Sequence, residues 1–122
     1  MAYYKNFQTK NKYSAVKTIM FGKKFDSKKE ARYSIYLEAE KQKGNIKSWD
    51  TQKRIDLYGE NGNRVCYYKA DFEVIHNDGT IEIIDVKSKA TVTSTFRLKW
   101  KLLEDKYKTE IKNGTVKLTI QY

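Results

Sequence analysis

Two aspartates and a lysine are the residues of this chain best able to do chemistry together. Asp71 lies in a segment of alternating apolar and polar residues, and Asp85 and Lys87 close the next such segment, beyond the turn Asn77-Asp78-Gly79. A three-residue loop that ends in glycine is typical of a hairpin with a type I turn and a G1 bulge, in which the residues flanking the loop pair with each other. In that register Asp71 faces Asp85 across the sheet, and Lys87 lies further along the same face.

This arrangement predicts a site for a divalent cation. Facing carboxylates repel each other and the isoleucines beside Asp85 reduce its hydration, so a cation that neutralises the pair is expected. Mg²⁺, with Mn²⁺ as a substitute, prefers one or two carboxylates together with water and phosphate oxygens. Lys87 would position a water molecule or stabilise charge growing on a phosphate, which predicts phosphodiester hydrolysis. The alternative is that Asp85 and Lys87 form an exposed surface pair of little consequence.

Composition limits the chemistry further. Cys66 is the only cysteine and His76 the only histidine, which excludes a disulfide within the chain and a zinc site with the usual ligands. The net charge is +10 and the pI is about 9.6, so a polyanionic partner is expected, and nucleic acid is the commonest class. The alternative is that the surplus of lysine serves solubility alone.

Two helices are predicted from capping residues and apolar spacing. Ser27-Lys28-Lys29-Glu30 is a capping box and predicts a helix over about residues 28–43, and a second helix is predicted over about residues 95–108. The apolar stripe of the first helix is predicted to hold Ala31, Ile35 and Ala39, with Leu37 beside it. One face of the second helix is predicted to hold Phe96, Trp100, Leu103 and Tyr107.

The remaining segments alternate as strands do, which predicts an α/β fold with a mixed sheet flanked by helices. Residues 1–24 contain lysines and tyrosines and only residues 17–21 resemble a strand, so a basic arm is expected there. Such an arm would lie along a phosphate backbone or form a solvated terminus. Residues 25–122 are expected to form a single domain. The predicted strands cover residues 46–58, 65–75, 80–87 and 115–122.

Two short segments around the aspartates resemble a known family. Ala70-Asp71-Phe72 followed by Ile84-Asp85-Val86-Lys87 resembles the motif of the PD-(D/E)XK nuclease superfamily, whose core is a helix, a strand hairpin, a second helix and a further strand. Residues 25–33 and 96–99 are similar to small phage-encoded members, some of which are regarded as Holliday-junction resolvases or related endonucleases. The resemblance covers roughly residues 21–108 and departs from the motif where alanine replaces its proline.

The resemblance implies a role for each matching residue. Asp71 and Asp85 would bind the metal ion, with the Val86 carbonyl as a third ligand. Lys87 would be the catalytic lysine, and Glu30 would match the acid that many members contribute from the first helix. The implied protein is a Mg²⁺-dependent DNA endonuclease with a restriction-endonuclease-like core. It would be selective for DNA structure and act in phage recombination or DNA processing, in the cytoplasm of a bacterial host.

The acidic residue on the first helix has more than one explanation. Glu30 is the N3 member of the capping box, so it serves the helix terminus, catalysis or both. Glu38, two turns later, is a second candidate for the helix acid. Glu73 is expected to be a solvated residue at the edge of the sheet.

Polar and basic residues after Asp85 are predicted to hold DNA. The second helix begins soon after the predicted site, so its first-turn amides and its cations can contact phosphates. The predicted contacts are Lys89, Ser94, Thr95, Arg97, Lys99 and Lys101. A solvated helix face is the alternative. Trp49 and Trp100 are open to a role in the core or as platforms for stacking bases.

Three alternatives differ from an autonomous nuclease. The chain would be a catalytically inert nucleic-acid-binding domain that keeps the fold, a nuclease subunit that needs a partner protein, or an interaction protein, although the last does not explain the +10 charge. A junction-cutting enzyme nicks two strands symmetrically, so a homodimer is expected. The chain shows no apolar run of membrane-spanning length and no signal peptide, so a soluble protein without a membrane partner is expected.

Overall fold

The computed structural model describes residues 18–88 and 92–122, which fold as two compact units that meet in sequence after Lys43. The arm expected over residues 1–24 therefore lies mostly outside the described residues, and so does the expected DNA contact Lys89. The α/β class with a mixed sheet and flanking helices is confirmed.

A short hairpin opens the described part of the first unit. It pairs β1 (Thr18–Met20) with β2 (Lys23–Phe25). Between them, Phe21 and Gly22 have φ values of 54° and 73°, as the two central residues of a type I′ turn require. The sequence predicts one strand over residues 17–21 and misses β2, because phenylalanine does not mark a left-handed turn position.

The first helix, α1, covers Lys28–Gln42 and buries a different face from the predicted one. Ile35 is 44% exposed and Ala39 is exposed as well, whereas Leu37 is buried. Residues two apart on a helix point to nearly opposite sides, so Ile35 and Leu37 cannot share a core. The buried stripe of α1 runs through Leu37 and consists of residues that lie three or four positions apart. Its members are Glu30, Ala31, Ser34 and Leu37.

The second unit is built on a four-stranded sheet. Neighbouring strands are antiparallel except for the last two, which are parallel. The strand β5 lies inside the sheet, which explains its apolar residues on both faces. In sheet order the strands are β3 (Ser48–Tyr58), β4 (Arg64–Ile75), β5 (Ile81–Val86) and β6 (Val116–Gln121).

Two helices connect the parallel strands β5 and β6, as a parallel pair requires. They are α2 (Ser94–Lys106) and α3 (Lys108–Asn113), where one helix over residues 95–108 is predicted. The predicted apolar face of α2 is confirmed, and its residues pack into one cluster with the sheet. Buried in that cluster are Ile55, Leu57, Tyr68, Ala70, Ile83, Phe96, Leu103 and Val116, with Trp100 and Tyr107 packed against it.

The alternation of β4 reverses partway along the strand. Tyr68 and Ala70 lie in the core cluster with Ile83 of β5. Ile83 pairs with Glu73, and Ala70 is three residues from Glu73, so a regular strand would point Ala70 and Ile83 to opposite faces. The period of two that the sequence predicts over residues 65–75 is confirmed in the burial, because Tyr68, Ala70, Phe72 and Val74 are all buried. What the sequence does not predict is that the buried side chains change from one face of the sheet to the other between Ala70 and Phe72.

The reversal occurs at Asp71. The pairs on either side of it, Thr51 with Phe72 and Lys53 with Ala70, keep the same register, so no residue is inserted. Gln52, which lies opposite Asp71, has a left-handed φ of 56°. A glutamine in that conformation is unusual and nothing in the sequence marks it. As a result, the side chains that precede Asp71 on β4 point to the face opposite to the one that a regular strand would give them.

The hairpin loop between β4 and β5 forms as predicted. The His76 amide donates to the Thr80 carbonyl at 2.9 Å, and the Gly79 amide donates to the His76 carbonyl at 2.9 Å. Gly79 has a φ of 90°, the left-handed conformation that the G1 bulge requires. Within residues 18–88 and 92–122, no helix is long and apolar enough to cross a membrane.

Candidate active site

The hairpin register brings the two predicted acids to adjoining positions. Phe72 pairs with Ile84, so the next position along the ladder places Asp71 opposite Asp85, as predicted. At this position a side chain makes the contact between the two strands: Asp71 Oδ2 accepts a hydrogen bond from the Val86 amide at 2.8 Å. The Asp71 carboxylate is therefore fixed against the β5 segment that carries Asp85.

Asp85 is the most deeply buried acid of this group, with 3% of its surface exposed. Its Oδ1 lies 3.0 Å from Lys87 Nζ, and its Oδ2 accepts a hydrogen bond from the Tyr68 hydroxyl. Burial raises the pKa of the Asp85 carboxyl, and the bond to the Lys87 ammonium works in the opposite direction. An exposed surface pair of Asp85 and Lys87 is thereby ruled out.

Both the backbone and the side chain of Lys87 have partners within the protein. Its amide donates to the Gln121 carbonyl on β6 at 2.8 Å, which extends the parallel pairing by one residue. Its ammonium lies beside Asp85 and 4.6 Å from the centre of the Phe96 ring on α2. The side chain keeps 22% of its surface exposed. The Lys87 side chain therefore contacts an acid and an aromatic ring of the protein and also reaches solvent.

Tyr68 is a site residue that the sequence analysis misses. It lies in the alternating segment that holds Asp71, and a regular strand would turn it away from Asp85. The reversal at Asp71 brings its hydroxyl to the Asp85 carboxylate instead. Its ring packs against Phe96 and Trp100, with centroid distances of 6.4 Å and 6.0 Å. The sequence shows a tyrosine three residues before Asp71, but only the reversal of β4 at Asp71 shows that its hydroxyl reaches Asp85.

The tryptophans and the α2 residues divide between core and surface. Trp100 packs against the core cluster and Trp49 against Phe72, with 6.1 Å between ring centres, so both serve packing. Thr93 caps α2, because its Oγ1 accepts from the Phe96 amide at 3.1 Å. Lys99 is half-buried, with its ammonium 5.6 Å from the Tyr67 ring. The other predicted DNA contacts on α2 are exposed: Ser94, Thr95, Arg97 and Lys101.

The acids outside this group have local partners. Glu30 lies in the first unit, where its amide donates to Ser27 Oγ at 3.1 Å and Ser27 Oγ donates to its carboxylate at 3.4 Å. The helix-capping role of Glu30 is therefore present, and its catalytic role stays a prediction. The Glu38 carboxylate accepts from the side-chain Nε2 of Gln42 at 2.8 Å. Glu73 is not a solvated edge residue, since its side chain is 18% exposed and lies 4.0 Å from Lys53.

A family model described as "Protein of unknown function (DUF1064)" matches residues 10–122. The chain belongs to this family. No curated protein and no solved structure matches it. Membership in the DUF1064 family assigns no chemistry, so the resemblance to the PD-(D/E)XK superfamily stays a prediction that depends on the motif residues.

The donor set suits an oxygen-preferring cation. Within the described residues, no group of three histidine, cysteine or acidic side chains is placed to hold a metal ion. Mg²⁺ needs less than that, because one or two carboxylates complete its shell with water and phosphate oxygens. Asp71 and Asp85 provide two carboxylates, and the Val86 carbonyl between Asp85 and Lys87 is the backbone oxygen nearest in sequence. These residues therefore fit Mg²⁺ or Mn²⁺.

Proposed function

We propose that this chain is a metal-dependent DNA endonuclease that hydrolyses phosphodiester bonds. One observation carries the proposal: Asp71, Asp85 and Lys87 converge at one end of the β4–β5 hairpin, and the Asp85 carboxylate is buried against the Lys87 ammonium 3.0 Å away. Acid, acid and lysine at one strand end are the groups that such a hydrolysis requires.

Stability alone gives a poor reason for this cluster. Removing the charge of Asp85 from water is costly, and ion pairs inside proteins repay that cost only partly. An apolar side chain on β5 would pack against Phe96 without the penalty. Buried acids whose pKa is raised while a cation stands beside them are more common at functional sites. The cost is therefore best explained by chemistry at this position.

Each residue has a distinct task in the proposed reaction. A divalent cation held by Asp71, Asp85 and the Val86 carbonyl would supply Lewis acidity toward the phosphate. The Tyr68 hydroxyl and the Val86 amide fix the orientations of the Asp85 and Asp71 carboxylates. Lys87, whose side chain keeps 22% of its surface exposed, would face the place where negative charge grows during attack on phosphorus.

Substrate class is proposed from charge and from the resemblance together. The net charge of +10 supports a polyanionic substrate, and exposed Arg97 and Lys101 on α2 support contacts to its phosphates. Selectivity for branched DNA, as in Holliday-junction resolvases, and action as a homodimer in phage recombination or processing follow from the resemblance. Backbone contacts without base readout are consistent with an enzyme that recognises DNA structure.

A second candidate function is a nucleic-acid-binding domain without activity, or a subunit that cuts only with a partner protein. It is favoured by the fact that both carboxylates already have partners within the protein. Asp71 accepts from the Val86 amide, and Asp85 contacts Tyr68 and Lys87. Under this alternative the polar cluster fixes the end of the sheet, and the basic surface alone serves binding.

The test is a cleavage assay on a four-way junction, a splayed fork, a linear duplex and single-stranded DNA, each with Mg²⁺, with Mn²⁺ and with EDTA. Lys87→Ala is assayed beside Lys117→Ala, which removes one positive charge at an exposed position of β6. The proposal requires metal-dependent cleavage that Lys117→Ala retains and Lys87→Ala loses. Tight binding without cleavage under every metal condition would support the inert domain or the partner-dependent subunit.

A further inference from the structure

The β3–β4 hairpin extends beyond the rest of the sheet. β4 pairs with β5 only over Phe72–Ile75, whereas its pairing with β3 continues to Arg64. The far part is therefore a two-stranded ribbon. One face of this ribbon belongs to the core through Ile55 and Leu57. Residues that alternate with these point to the other face.

An aromatic ring on the ribbon lies among cations. Tyr67 is 43% exposed, and Arg54 Cζ lies 4.3 Å from the centre of its ring. Asp56 Oδ1 accepts from Arg54 Nε at 3.3 Å and holds the guanidinium in place. Lys99 of α2 reaches the same ring from outside the sheet, with its ammonium 5.6 Å from the centre. The group formed by Tyr67, Arg54 and Lys99 is called the Tyr67 platform below.

The Tyr67 platform and the candidate active site use neighbouring residues of β4 and α2. Tyr67 directly precedes Tyr68, whose hydroxyl contacts Asp85. Lys99 lies one helical turn after Phe96, whose ring carries the Lys87 ammonium at 4.6 Å. Neighbouring residues of a strand alternate between its faces, so Tyr67 and Tyr68 point to opposite faces of the ribbon. The link between the platform and the site therefore runs along α2, from Lys99 at the Tyr67 ring to Phe96 at the Lys87 ammonium.

We propose that the Tyr67 platform binds an unpaired nucleobase of the DNA substrate by stacking, with Lys99 on a neighbouring phosphate. Tyrosine rings and guanidinium planes are the surfaces on which unpaired bases stack, and a flanking cation follows the backbone. The bases of an intact duplex are stacked on each other and cannot offer a face to such a platform. The inference rests on the proposed nuclease function and adds that, among its DNA substrates, the protein binds those with unpaired nucleotides most tightly.

Binding is measured by fluorescence anisotropy in EDTA, so that cleavage does not interfere, on labelled single-stranded, forked and duplex DNA. Tyr67→Ala is compared with Tyr67→Phe and Tyr67→Trp, which keep an aromatic face, and with Tyr36→Ala, which removes an exposed tyrosine from α1 in the other unit. Thermal melting of each variant reports whether it is folded. Each binding constant is taken over a series of salt concentrations.

Loss of the ring should weaken binding to single-stranded and forked DNA by roughly tenfold and binding to duplex by less than about twofold. Tyr67→Phe and Tyr67→Trp should retain wild-type affinity, and so should Tyr36→Ala. The salt dependence should be unchanged in Tyr67→Ala, whereas Lys99→Ala should reduce the slope of log K against log salt by about one.

Two results would overturn the stacking site: Tyr67→Ala that binds every DNA as the wild type does, or Tyr67→Ala that weakens all three DNA forms equally. If either is found while wild-type protein still cleaves DNA with Mg²⁺, the inference fails and the nuclease proposal survives. If wild-type protein binds none of the three DNA forms, the stacking site fails, and cleavage of the four-way junction decides the nuclease proposal separately.

Discussion

β5 carries two acids, and their surroundings differ. Glu82, near the hairpin loop, accepts from Thr119 Oγ1 at 2.5 Å and lies 2.8 Å from His76 Nε2. Asp85, at the other end of the strand, has Lys87 and Tyr68 as partners. Both side chains are largely covered, with 13% of the Glu82 side chain and 4% of the Asp85 side chain exposed.

The comparison shows that a covered, hydrogen-bonded acid is not by itself a sign of catalysis. Glu82 is held by a hydroxyl and an imidazole, which satisfy its oxygens as any structural carboxylate requires. Asp85 has a second carboxylate at the adjoining position and the Lys87 ammonium on the same side. The convergence of like charges with a lysine, rather than burial, distinguishes the two ends of β5.

The largest difference between Asp85 and Glu82 is expected in the cleavage rate when each acid is neutralised in turn. Asp85→Asn should lower the cleavage rate on the order of 10³-fold, because it removes a metal-binding carboxylate, whereas Glu82→Gln should stay within about twofold. Initial rates on the preferred DNA substrate with Mg²⁺ measure both. Equal losses in the two variants would show that the effect comes from the strand and not from the site.

Removing the Tyr68 hydroxyl should weaken metal binding at Asp85 without abolishing it. Tyr68→Phe keeps the ring against Phe96 and Trp100 but leaves Asp85 without one donor, so the Mg²⁺ concentration for half-maximal rate should rise roughly 10- to 100-fold. Tyr107→Phe, in the same core cluster but without a contact to Asp85, is the matched control. An unchanged Mg²⁺ dependence in Tyr68→Phe would assign its hydroxyl to packing alone.

The pH dependence of stability should also separate the two ends. The pKa of Asp85 is raised above 3.8 in the folded state, so between 3.8 and the raised pKa the folded protein binds more protons than the unfolded chain. This acid therefore costs stability as the pH rises through that interval, and the cost is absent below it. Asp85→Asn should raise the Tm at neutral pH without metal, and the gain should shrink as the pH falls toward 3.8. A variant that melts below the wild type at every pH would contradict this.

The smallest effect is expected at the loop end. Glu82→Gln keeps the side-chain length and weakens the bonds to Thr119 and His76, so it should lower the free energy of unfolding by about 1 kcal/mol. Urea denaturation at neutral pH measures the change. A loss several times larger would mean that the Glu82 cluster, and not the aromatic core, holds β6 in place.

Much of the site geometry is predictable because it depends on short-range rules. Gly79 at the end of a three-residue loop sets the register of β4 and β5, and the register places Asp71 opposite Asp85. The spacing of Asp85 and Lys87 then puts both on one face. Turn chemistry and a period of two are legible in a sequence, so this part of the prediction holds.

The remainder depends on features that no residue type signals. The alternation of β4 reverses at Asp71, opposite the left-handed Gln52, and that reversal brings Tyr68 to Asp85. A similar limit applies to α1, where Ile35 and Leu37 compete for the core and neighbouring packing decides. Contacts across such irregularities are tertiary and leave no periodic mark.

The most direct test of the account is Mg²⁺-dependent cleavage of a four-way junction by wild-type protein beside Asp71→Asn purified in the same way. The identical purification separates activity of this chain from that of a contaminating nuclease. The account predicts cleavage by the wild type with Mg²⁺, no cleavage with EDTA, and a loss on the order of 10²-fold or more in Asp71→Asn. Cleavage by Asp71→Asn at the wild-type rate would contradict the assignment of the active site to the β4–β5 hairpin.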